Sequence, residues 1–122
     1  MKEKNLYKYV EKFLIKNMNC FDSGQKCGVQ FVGMADVLGL RDIGGAYSSD
    51  VELISVEVKL YTGNFGKICG QALGYSAFAH KCYLAIPFKG QNCFSQEQKE
   101  IASRLGIGLL EIRGKNCREI LS

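Results

Sequence analysis

Residues 54–63 read ISVEVKLYTG. Apolar and polar positions alternate as far as Leu60, the two-residue period of a β-strand. Ile54, Val56, Val58 and Leu60 therefore share one face, and Ser55, Glu57 and Lys59 the other. The strand brings a carboxylate and an ammonium together on one side. On an edge strand with one wet face, Glu57 and Lys59 would simply be solvated. A buried pair has a different meaning, because removing two ions from water is costly and a well-packed apolar pair serves stability equally well.

Outward from this stretch, the β-branched run VELISVEVKL makes residues 51–60 the expected strand. On its N-terminal side, RDIGGAYSSD is a polar, glycine-rich loop, and residues 29–40, VQFVGMADVLGL, form one bent strand or two short ones with Gly33 at the bend. FDSGQKCG supplies turn formers. Residues 3–18, EKNLYKYVEKFLIKNM, carry Leu6, Val10, Phe13, Leu14 and Asn17 at helical spacing, with lysines on the outer face.

On the C-terminal side, TGNFGKICGQALGYSAFAHK repeats Ile68, Ala72, Tyr75, Phe78 and Ala79 at three and four, which predicts a second helix. Its Gly70 and Gly74 cost helix propensity and imply close packing. CYLAIPF, residues 82–88, is a strand covered on both faces. Ser95 with Gln98 forms a capping box for a helix that stops at Gly106, and IGLLEIRG closes the chain as a further strand. Clustered strands followed by strands alternating with helices predict an α/β fold, a mixed central sheet flanked by helices.

The 122 residues, 47% hydrophobic and 23% charged, suit one folded domain spanning 1–122 rather than a disordered or fibrous chain. No apolar run is long enough to cross a bilayer, and the start MKEKNLYKYVEKFL lacks a secretory pattern, so the expectation is a cytoplasmic protein with no membrane partner. The six cysteines include no CxxC pair, which points to reduced thiols. A metal or cluster site built from Cys20, Cys27 and Cys117 is the alternative. A net charge of +4 suits contact with a polyanion without requiring it.

The chemistry is carried by few residues. Asp36 interrupts the apolar GMADVLGL, where an unpaired carboxylate would be expensive. An Asp on one strand beside a Glu on the next offers two oxygen ligands to a hard cation such as Mg2+. Lys59, on the same face, could orient an attacking water or stabilise charge growing on a phosphate. Asp50 could replace Asp36 but sits at the mouth of a loop, and Glu52 points to the face opposite Glu57. His80 ends its helix, where a cation is favourable without any catalytic task. Lys67, Lys89 and Arg104 are candidates for phosphate contacts.

With MADVLGL, VEVK and GQALGY in this order, the chain resembles the PD-(D/E)xK nucleases of the restriction-endonuclease-like fold. GQALGY is similar to the Q-x-x-x-Y element of RecB-like nucleases, and archaeal Holliday junction resolvases have a similar Gln. Ala35 stands where the motif's proline usually sits. The resemblance covers residues 3 to about 88 and implies an αβββαβ core, to which a C-terminal helix and strand are added. It implies Asp36 and Glu57 as metal ligands and Lys59 as the catalytic lysine, with Glu11 completing the metal site and Glu3 as its rival. Gln71 and Tyr75 would lie beside the metal or the nucleic acid backbone.

The implied activity is a Mg2+-dependent deoxyribonuclease, with Mn2+ as a substitute ion, acting on DNA in repair, recombination or restriction. A homodimer would let two sites address two strands. The alternative is a nucleic-acid-binding or assembly module that keeps the fold and does not cut.

Overall fold

A computed structural model of the chain describes residues 2–24, 35–44, 50–77, 79–88, 90 and 93–122. Among these residues six strands form one mixed sheet in the order of the sequence. They are β1 (Cys20–Gly24), β2 (Val37–Asp42), β3 (Val51–Val58), β4 (Lys81–Pro87), β5 (Ile107–Arg113) and β6 (Asn116–Leu121). The helices are α1 (Tyr7–Asn17), α2 (Phe65–Leu73) and α3 (Gln96–Leu105). Strands β1, β2 and β3 pair antiparallel. Strands β3, β4 and β5 are parallel, joined through α2 and α3, and β6 returns antiparallel to β5.

The alternation in β3, β4 and β5 divides the core between two helix layers. Val10, Phe13 and Leu14 of α1 pack with Ile54, Val56, Val58, Tyr83 and Ala85. Phe65, Ile68, Cys69 and Ala72 of α2, with Ala102 of α3, meet Leu84, Ile86, Ile107 and Leu109 on the opposite face. Each fully buried Val, Leu, Ile or Phe contributes about 1.5–3 kcal/mol. Both faces of β4 are covered, which is why its sequence is nearly continuous in apolar residues. Gly108 allows β5 to pass Tyr83, since a Cβ there would lie 2.2 Å from the ring.

Helix α3 has the capping box that its sequence predicts. The Gln98 amide donates to Ser95 Oγ at 3.1 Å, and the Ser95 amide donates to Gln98 Oε1 at 2.9 Å. Gly106 closes the helix at φ 74°, a left-handed conformation that a Cβ would strain. Ser95→Ala should cost about 1 kcal/mol, read as a lower urea midpoint with an unchanged slope.

Several boundaries differ from the expectation. Cys20–Gly24, expected as part of a turn, is β1, paired along β2 with an irregularity between Cys20 and Asp22. Strand β2 runs on to Asp42, into the expected loop. Gly33 and the first half of the expected 29–40 strand lie outside the described residues, as do Cys27, Phe78 and Lys89. The first turn of the N-terminal helix, Glu3–Leu6, is 3-10. The second helix leaves α geometry at Leu73 and continues as a 3-10 turn over Gly74–Ala77. β6 was not expected at all, because NCREIL has no clean alternation, and its residues are exposed or half-buried, none of them buried.

Candidate functional site

Glu57 lies on an interior strand between β2 and β4 and is only 6% exposed. A solvated edge position is therefore excluded. It shares its face with the buried Ser55, while Ile54, Val56 and Val58 turn to α1. Val37 pairs with Val56, and the same register continued by one residue places Asp36 opposite Glu57, at the carboxyl end of β3. Asp36 is fixed there by two donors. The Val58 amide donates to Asp36 Oδ2 at 2.8 Å, and the Tyr7 hydroxyl, from the first turn of α1, donates to Oδ1 at 2.9 Å.

Glu57 is held in a parallel way. The Tyr75 hydroxyl donates to its Oε2 at 2.8 Å, and Lys59 Nζ lies 3.5 Å from its Oε1. Burial pushes the Glu57 carboxyl above the ordinary glutamate range, and the negative charge of Asp36 adds to the rise, against the opposing pull of Tyr75 and Lys59. Tyr7 and Tyr75 are raised as well, by burial first and then by the carboxylates they bond, so both hydroxyls remain donors.

No protein-family model matches the chain, and no curated protein matches it. The clearest contrast is with the other buried acid, Glu111 on β5, which is 2% exposed. Burial alone would raise its carboxyl, but Arg113, the Cys93 thiol and Arg118 outweigh that and hold it below the ordinary range. It bonds the Arg113 guanidinium directly, with Arg118 at 3.2 Å. Glu111 is thus a charge-balanced structural group. Among the described residues Glu57 has one ammonium, a phenol and a second carboxylate nearby, so negative groups are in surplus over cations at the Asp36–Glu57 pair, where Glu57 is buried and Asp36 half-buried.

That surplus fits a hard cation. The donors are all oxygen, and Mg2+ is commonly held by one or two carboxylates while keeping waters and binding substrate phosphates. Beside the pair, Lys59, Lys67 and Gln71 line an open cavity of about 280 Å3 together with Tyr61 and Asn64. Asn64 caps α2 there, accepting from the Lys67 amide at 3.3 Å.

Glu11 does not join the carboxylates. Among the described residues no three His, Cys, Asp or Glu side chains gather into a group that could hold a metal. Asp36 is met from α1 by Tyr7, and Glu11 stands one turn beyond it, its carboxyl raised by burial. Glu3, one turn before, is the nearer acid electrostatically, since its charge acts on the Tyr7 hydroxyl.

Tyr75 is on the 3-10 turn after α2, so it reaches Glu57 from there rather than from one helical face shared with Gln71. Glu52 pairs with Arg41 on the α1 side, and His80 Nδ1 accepts the Leu53 amide at 2.9 Å, tying the start of β4 to β3. Cys20 and Cys117 sit on the opposite edge strands, β1 and β6, so they do not form one metal site.

The sequence contains no pattern that singles out Tyr7, although its four-residue spacing from both Glu3 and Glu11 placed it on the relevant helix face. Ser55 is a second residue missed. Its hydroxyl is buried on the Glu57 face and has no partner among the described residues.

Proposed function

We propose that the chain is a Mg2+-dependent deoxyribonuclease of the PD-(D/E)xK type, with a restriction-endonuclease-like fold, acting as an endonuclease in repair, recombination or restriction. The observation that carries this is the under-neutralised pair Asp36 and Glu57, held by separate tyrosines at the carboxyl end of β3 with Lys59 beside it. The element order αβββαβ followed by a helix and two strands is compatible with that fold.

In this scheme Asp36 and Glu57 hold Mg2+ or Mn2+. When bound, the ion would polarise the phosphate and lower the pKa of a water. The protein's own groups do the positioning. Tyr7 and the Val58 amide fix the Asp36 carboxylate, and Tyr75 fixes Glu57. Lys59 places a cation where negative charge grows on the phosphate, with no reorganisation required at the moment of reaction. Lys67 and Gln71, on the cavity wall, receive the DNA backbone. Dimerisation would pair two such sites across a duplex.

The test is nicking of supercoiled plasmid. Cleavage is expected with Mg2+ or Mn2+ and none in EDTA. A non-cutting nucleic-acid-binding or assembly module is the second reading, favoured by one observation: the described residues offer no third acid to the pair. Binding without cleavage of plasmid, branched, single-stranded or linear DNA under either metal would decide for it.

A further inference from the structure

A separate groove of about 360 Å3 lies between α1 and the β5–β6 turn. Its wall includes Tyr9, Lys12 and Lys16 from α1, Lys115 from the turn and Asn116 at the start of β6, and no acidic side chain lines it among the described residues. None of the three lysines has an ion-pair partner among the described residues. Lys12 and Lys16 stand four apart on the helix, a like-charge arrangement that costs a few tenths of a kcal/mol. Lys115 adds a third ammonium from a distant part of the sequence. Three cations around one concavity, with no acidic partner among the described residues, are complementary to a ligand that carries several negative charges.

Two features of the fold say which polyanion. At about 100° per residue along α1, Tyr9, Lys12 and Lys16 occupy the flank turned away from Tyr7, so the groove is distinct from the Asp36 contact. It also lies on the α1 face of the sheet, whereas the Glu57 carboxylate is on the other. β3, β4 and β5 are parallel, so the turn after Arg113 leaves from the same edge as Lys59 after Val58. A neutral aromatic side chain, Tyr9, stands among the ammoniums, with Lys8 Nζ 5.3 Å from its ring centroid.

We propose that this groove is a second nucleic-acid backbone site, which grips phosphates to one side of the carboxylate pair. It deepens the nuclease proposal but is tested without cleavage. The experiment measures equilibrium binding of labelled duplex DNA, single-stranded DNA and RNA in EDTA by fluorescence anisotropy across a salt series. It compares the wild-type chain with a Lys12→Gln, Lys16→Gln, Lys115→Gln triple variant. Each lost phosphate contact flattens the log–log salt dependence by about 0.9 on duplex. The triple variant should therefore flatten it by about 2–3 and weaken low-salt binding at least about tenfold.

Lys115→Gln alone, on an exposed turn, should flatten the duplex dependence by about 1. It serves as the check if the triple variant melts early. Whichever nucleic acid shows the largest change is the source of the phosphates. Unchanged slopes on all three overturn the proposal. The two proposals separate cleanly. Altered slopes with no plasmid nicking leave the groove standing and remove the nuclease, and nicking with unaltered slopes does the reverse.

Discussion

Lys59→Ala should bind DNA nearly as well as the wild-type chain and nick plasmid about 10^2–10^3-fold more slowly, the loss expected when one preorganised charge-stabilising donor is removed. β3 ends at Val58, but the Lys59 amide still donates to Ala85 O at 3.1 Å, so its main chain is held in register with β4. The side chain leaves from that fixed point, one quarter exposed, with Nζ 3.5 Å from Glu57 Oε1 and on the wall it shares with Lys67 and Gln71. A cation anchored at the rim of a pair in which Glu57 is buried and Asp36 half-buried costs little to hold and would meet a phosphate without rearranging. Lys67→Ala is the control. Lys67 is exposed on the first turn of α2, and its loss should weaken binding modestly and leave the rate at saturating protein nearly unchanged. The comparison needs single-turnover nicking and anisotropy on the same substrate. If the Lys59→Ala rate at saturation equals that of the wild type, Lys59 has no part in the chemistry.

How much of this was legible in the sequence follows from which interactions are local. The alternation around Glu57 gave the strand and its two faces directly, because side-chain period depends only on the backbone. The capping box of α3 was equally legible, as Ser95, Gln98 and Gly106 act within one short segment. Asp36 was visible as a charge in apolar surroundings, but its partners were not. Tyr7 is 29 residues away and the Val58 amide 22, and such pairings are set by how α1 lies over the sheet. β1 was missed for the same reason. Cys20–Gly24 contains Asp, Ser and Gly, which favour turns in isolation, and becomes a strand because β2 offers it an edge under α1. The end of α2 was misplaced because periodicity continues to Ala79 while the 3-10 turn beginning at Gly74 brings Tyr75 over Glu57. The Glu11 expectation came from resemblance alone, and the contact with Asp36 falls to Tyr7, one turn earlier.

Glu57→Gln should do two opposite things, raising the stability of the metal-free chain while removing metal-dependent cleavage. In the metal-free wild type, burial and then Asp36 disfavour the charge of this carboxylate. A neutral amide of the same shape can still accept from Tyr75 and avoids that cost. The pH dependence has a definite sign. Because the native carboxyl sits above the ordinary glutamate range, the folded chain holds this proton more tightly than the unfolded one. The cost is complete above the native value and vanishes below the ordinary range, so the variant's advantage should be clear at pH 8 and close as the solution is acidified. Mg2+ should reverse the order. An ion that binds only the folded wild type adds roughly 2.7 kcal/mol at one hundred times its Kd, whereas the variant, with a ligand gone, should lose at least about 100-fold in metal affinity. Thermal unfolding of both chains with EDTA and with Mg2+, at two pH values, gives the four comparisons required. A wild type that gains nothing from Mg2+ or Mn2+, together with a variant less stable at every pH, would make Glu57 a structural acid like Glu111. A crossing of the two stabilities on adding metal is what a site strained for cation binding predicts, since the same surplus charge that weakens the empty fold is what holds the ion.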